Sequence, residues 1–192
     1  MPKKELIVVG GPNGAGKTTF ADEYVACRGI DYVSADAIAA RLSPGDPAAA
    51  QIAASREFLH RIDGVILGNS NVIVESTLSG RTFQRLLRNA KAAGFEITLV
   101  YLFLDSDDTC VARVNERVLK GGHNVPEIDV RRRFVRSNHN FWNLYLPLSD
   151  HWLLIYNSGN LPQDVAIGTA TEVSVRDAEL FSQFQLLVAA GN

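Results

Sequence analysis

Sulfur is scarce in this chain, which has two cysteines and one methionine among 192 residues. Cys27 and Cys110 lie far apart and in no metal-ligand spacing, so a disulfide framework and a zinc ribbon are excluded and a reducing compartment is expected. His123 and His139 likewise have no acid or cysteine at metal-binding distance in the sequence, which argues against a zinc site. A large excess of charge of one sign is also missing. The formal net charge of -2 provides no global basic field for nucleic acid, and an apolar content near half excludes disorder. The apolar run after Lys3 and Lys4 is short and glycine-broken, unlike a signal or membrane segment, so a cytoplasmic protein is expected. No repeat and no low-complexity segment is present.

What is present is an apolar strand, Glu5-Leu6-Ile7-Val8-Val9-Gly10, that runs into Gly11-Pro12-Asn13-Gly14-Ala15-Gly16-Lys17-Thr18-Thr19. This GxxxxGKT spacing is a phosphate-binding loop. Its glycines let backbone amides turn inward around phosphates, Lys17 reaches the β- and γ-phosphates, and the Thr18 hydroxyl suits Mg²⁺. A helix is expected from Thr18 to Arg28, with Phe20, Tyr24 and Cys27 on one face and Gly29 as its stop.

Further strands are expected at Tyr32 to Val33, Val72 to Val74, Ile97 to Leu104 and Trp152 to Tyr156. Between them, Pro47 to Leu67 carries Ile52, Phe58, Leu59 and Ile62 in one helical register, and Thr82 to Ala93 carries Phe83, Leu86, Leu87 and Ala90. Ile128, Val135 and Trp142 fall seven apart and are expected as a core stripe of a later helix. The βαβ rhythm and doubly apolar strands predict an α/β fold with a parallel sheet between two helix layers and ligands at the carboxyl ends of strands. The length suits one domain over 1–192. In its tail, a hairpin with arms Val165 to Ile167 and Glu172 to Val175 and a helix Asp177 to Ala189 are expected.

A phosphate loop alone does not separate kinase, switch and motor, so the other strand ends matter. Asp36, Glu75 and Asp105 stand there. A phosphoryl-transfer enzyme needs a carboxylate to orient or deprotonate the acceptor hydroxyl and often another near the metal. The alternative for Asp36 is that it, or Ser34, caps the next helix, and for Glu75 that it is an exposed residue before a Ser76/Thr77 cap. For Asp105, beside Asp107 and Asp108, the favoured reading is structural, as negative charge at the N-terminus of a helix Thr109 to Leu119. Arg113 and Arg117 share a helix face. Arg131, Arg132, Arg133 and Arg136 follow Gly121-Gly122, so two basic helices about a hinge, roughly 107–145, form a candidate lid. The alternative for each arginine is a solvated helix face.

Together the phosphate loop, Ser34-Ala35-Asp36, Val74-Glu75-Ser76-Thr77-Leu78-Ser79-Gly80, Arg113, Arg117-Val118, Gly121-Gly122-His123 and Arg131-Arg132-Arg133-Phe134 resemble the zeta-toxin family, and in particular its small chromosomal branch. The resemblance covers Leu6 to Ser158. It implies an adenylate-kinase-like P-loop NTPase fold, ATP or GTP with Mg²⁺, and a kinase that phosphorylates a sugar nucleotide such as UDP-N-acetylglucosamine and is restrained by an antitoxin. It further implies Lys17, Asp36, Arg117 and Arg133 as catalytic groups and Thr18 as the metal ligand. Arg113 joins Gly11 to Thr19 around the nucleotide, and Glu75, Thr77 and His123 fall on the substrate side. Two alternatives are a nucleotide-binding interaction protein without kinase activity and a kinase acting on polynucleotide ends; the composition argues against nucleic acid. The chain is shorter than many plasmid toxins, and no LSGGQ-like signature supports a transporter ATPase.

Overall fold

In the computed structural model, which describes residues 4–46, 49–68, 70–122 and 124–191, the strands are β1 (Lys4–Gly10), β2 (Asp31–Ser34), β3 (Val72–Ser76), β4 (Phe95–Phe103), β5 (His151–Tyr156), β6 (Gln163–Gly168) and β7 (Val173–Val175). The helices are α1 (Lys17–Arg28), α2 (Ala35–Leu42), α3 (Gln51–Gly68), α4 (Phe83–Ala92), α5 (Asp107–Leu119), α6 (Glu127–Asn140) and α7 (Ala178–Ala189). A π-helical turn, Phe141–Tyr145, prolongs α6. None of the helices is long and apolar enough to cross a membrane among the described residues.

Both faces of the central strands are apolar because both are covered. Leu6 and Val8 of β1 turn toward the side packed by α2, α3, α4, the π turn and α7. Ile7 and Val9 turn toward α1, α5 and α6. The sheet order is β2-β3-β1-β4-β5-β6-β7, and β2 through β5 are parallel. The parallel sheet expected from sequence is therefore extended into a mixed one. β6 and β7 join antiparallel, since the short connections after β5 leave no room for the crossover a parallel strand requires. The expected hairpin and last helix are both present, with Asp177 capping α7 through a bond from the Leu180 N–H.

Two helix faces differ from the periodicity reading. In α3 the buried stripe is Ala54, Phe58, Ile62 and Ile66, whereas Ile52 is 72% exposed and Leu59 is also exposed. Pro47, where that helix was expected to begin, lies outside the described residues. In α6 the buried side is Val130, Phe134, Ser137 and Asn138, and Ile128 is 77% exposed. Asn138 takes a core position because its Oδ1 accepts a bond of 2.9 Å from the Tyr101 hydroxyl, a partner that hydropathy cannot register.

The register gathers the strand ends. Glu75 on β3 stands beside Val9 of β1 on one flank and Ser34 of β2 on the other, so the phosphate loop, the β2–α2 junction and Glu75 open on one edge.

Candidate active site

The loop after β1 takes its shape from glycines that cannot be replaced. Gly14 and Gly16 have φ of 80° and 86°, and a Cβ at Gly11 would lie 2.3 Å from the Leu102 carbonyl oxygen. Gly16 caps α1 without a side-chain bond, and the first turn holds no acid, so the free N–H groups and positive end of α1 face the cleft. The loop is held from outside. The Asn157 amide donates to the Ala15 carbonyl at 2.8 Å, Arg113 donates to the Gly14 carbonyl at 3.4 Å, and Arg133 donates to the Asn13 side chain at 3.4 Å. Lys17 is buried and folds back to donate to the Pro12 carbonyl at 3.0 Å.

Glu75 meets this loop from β3. Its Oε2 accepts from the Thr18 hydroxyl at 3.0 Å and the Tyr32 hydroxyl at 2.5 Å, and its Oε1 lies 3.9 Å from Lys17 Nζ. The exposed-residue alternative thus fails: Glu75 is a buried acid that has partners on β2 and α1. From sequence Tyr32 has a strand position but no role in the site. Burial, followed by the adjacent Glu75 charge, pushes its phenol well above the ordinary range, so it remains a donor. Among the described residues no three His, Cys, Asp or Glu form a metal cage. One carboxylate beside one threonine hydroxyl still fits Mg²⁺, which keeps most of its waters when bound with nucleotide phosphates.

Asp36, Lys17, Glu75, Thr77 and Arg133 all line a single cavity of about 300 Å³. Ser34 is the cap of α2, accepting from the Ala37 N–H at 3.4 Å, which leaves the exposed Asp36 carboxylate in the first turn on the cavity wall. The segment after β3 also lines the cavity. There Leu78 has a φ of 54° with a buried side chain, its carbonyl accepts from Asn140 Nδ2 at 2.9 Å, and the Gly80 carbonyl accepts from the Tyr145 hydroxyl. A non-glycine residue in the left-handed region is strained, and here α6 and the π turn hold it in place. The spacing of Asn140 and Tyr145 carried no signal for this role.

The arginines separate by function. Arg131 is bound to Asp107 and Asp108 of α5 and to Glu127 of its own helix, so it ties α6 to α5, whereas Arg132 pairs with Asp129 along the surface of α6 itself. Arg133 is the member of its cluster that reaches the cavity and the phosphate loop. Arg117 is half-buried in α5; its carbonyl accepts from the Gly122 N–H at 2.9 Å, and it does not line the cavity. His123 lies outside the described residues. Asp105 has the structural place expected for it, accepting from Thr109 Oγ1 at 2.7 Å beside the Ser106 cap of α5.

A phosphate loop at the end of β1, flanked by β3 and β4 in a sheet clad by helices on both faces, defines an α/β P-loop NTPase fold of the kinase-like kind. Residues 6–134 match the model of the AAA domain family, and the chain belongs to that family. An uncharacterized protein of Haemophilus influenzae is 32% identical over 124 residues, which are 65% of this chain and 88% of that protein. Among solved structures, a chain of AvrRxo1-ORF1:-ORF2 with ATP superposes with a TM-score of 0.75 at 19% identity, covering 95% of this chain and 63% of that one. A chain from the PezAT chromosomal toxin-antitoxin system of Streptococcus pneumoniae gives a TM-score of 0.61 at 13% identity, covering 100% of this chain and 88% of that one. At such identities the likeness is one of fold, and the chain spans 63% of the length of the first.

Proposed function

We propose that this chain is an ATP-dependent phosphotransferase that moves the γ-phosphoryl group to a hydroxyl of a small molecule. The observation that carries this reading is one cavity shared by Asp36 and by Lys17, Glu75 and Arg133 of the phosphate side. An acceptor hydroxyl beside Asp36 gives its proton to that carboxylate as its oxygen bonds to phosphorus. The bond to the β-phosphate oxygen then breaks and ADP leaves. Lys17 turns from the Pro12 carbonyl to the β- and γ-phosphates, and Arg133 moves from Asn13 onto the transferring oxygens. Mg²⁺ would be held by the Thr18 hydroxyl, with Glu75 orienting its waters, and would supply positive charge to the nucleotide phosphates. The α5–α6 pair acts as the lid of a single domain, and Arg117 reaches a phosphate when the turn at Gly121-Gly122 moves.

The resemblance to zeta toxins supports the same reading, makes a sugar nucleotide such as UDP-N-acetylglucosamine the first acceptor to test, and admits GTP as donor. It also supports an antitoxin as partner, and the short, glycine-broken N-terminal apolar run supports a cytoplasmic location. Asp36→Ala is expected to lower transfer from labelled ATP by roughly 10²–10⁴-fold while calorimetric ATP affinity is kept. Full activity of that variant would remove Asp36 as the base. ATP binding without a phosphorylated product over a broad acceptor panel would favour an interaction protein instead.

A further inference from the structure

The kinase reading leaves the acceptor open, and the cavity restricts it by size and charge. At about 300 Å³ it lies at the lower end of the roughly 300–1,000 Å³ range of small-ligand sites. Its cations are Lys17 and Arg133 among the described lining residues, and both are on the phosphate side, bonded to Pro12 and Asn13 of the loop. Its acids, Asp36 and Glu75, add to the negative charge of a bound nucleotide. An anionic group on the acceptor would face those acids and the nucleotide with no further cation among the described lining residues to meet it.

The remaining polar groups are uncharged. Ser76, Thr77 and Ser79 come from the segment pinned at Leu78 and Gly80, with Thr77 Oγ1 and Ser79 Oγ 2.9 Å apart, and Ser55 faces the same space from α3. Hydroxyls both donate and accept, which suits them to other hydroxyls. Phe58 and Phe83, with ring centroids 6.3 Å apart, also line the cavity and can take the C–H face of a sugar ring.

We propose that the acceptor is an uncharged polyhydroxylated molecule of monosaccharide size, recognised by the Ser76–Gly80 segment. This rests on the phosphotransferase reading and narrows its acceptor away from a sugar nucleotide. The test uses glucose, N-acetylglucosamine and ribitol against a hexose phosphate and UDP-N-acetylglucosamine. Binding is followed by saturation-transfer NMR in the presence of a non-hydrolysable ATP analogue and Mg²⁺, and transfer is followed separately with ATP. Neutral members should bind and the anionic ones should not. Ser79→Ala should weaken that binding about tenfold with ATP affinity unchanged, and Ser55→Lys should admit the hexose phosphate. Neutral binding without transfer would support the acceptor class while removing the kinase reading. Preference for UDP-N-acetylglucosamine or the hexose phosphate over the free sugars, or no binding by any neutral member, would overturn the proposal.

Discussion

At the residue scale, single pairings define what the site can do, and the Tyr32 hydroxyl on Glu75 is the most informative of them. With Tyr32→Phe, Glu75 loses one of two hydroxyl donors on the same oxygen. The Mg²⁺ concentration needed for half-maximal ATP binding should rise by about 3–10-fold, a loss of the order of one ordinary hydrogen bond. Metal-free nucleotide binding should not change, and calorimetry across a Mg²⁺ series checks both. Burial also pushes the Cys110 thiol up to about 12 from an ordinary value near 9. The sign follows from linkage. Folding favours the neutral thiol, a stabilisation fully present below pH 9 and lost as pH rises toward 12. Cys110→Ala should therefore lose stability less steeply than the parent over that window in alkaline denaturation, and the Cys110 peptide should resist alkylation in the native protein at neutral pH.

At the element scale, the site is built by segments holding other segments. The end of α6 holds the Leu78 segment of the cavity wall through Asn140, and its middle supplies Arg133, so one helix supports two parts of the cavity. Asn140→Ala would leave the Leu78 carbonyl without its donor and free a strained backbone. An increase in acceptor KM of about tenfold is expected, with ATP affinity kept and stability lower by about 1–3 kcal/mol. The α5–α6 turn is tight. A Cβ at Gly122 would lie 2.5 Å from Arg117 Cγ and 2.9 Å from its carbonyl oxygen, so Gly122→Ala must shift the turn. If these helices close as a lid, kcat should fall more than ATP affinity, and a stability loss of about 1–3 kcal/mol should accompany it.

At the scale of the whole molecule, α7 closes one side of the sheet through Phe184, which is fully buried among Tyr101, Phe103, Phe141 and Trp142 at centroid distances of 5.0 to 6.0 Å. Phe184→Ala should cost about 3–5 kcal/mol and lower the urea midpoint. That is a large share of the roughly 5–15 kcal/mol that stabilises a domain. The sequence by itself determined the phosphate loop, the parallel core, the tail hairpin with its helix, and the acids at the strand ends. These rest on local geometry, on glycine φ angles and on apolar periodicity, which neighbouring residues carry. Only the tertiary structure decided which groups meet. It turned α6 onto its Asn138 side, chose Arg133 over Arg131 for the cavity, and joined Tyr32 to Glu75 and Asn140 to Leu78. Those partners lie 37 to 62 residues apart, and strand register and helix packing bring them together, neither of which a short window of sequence contains.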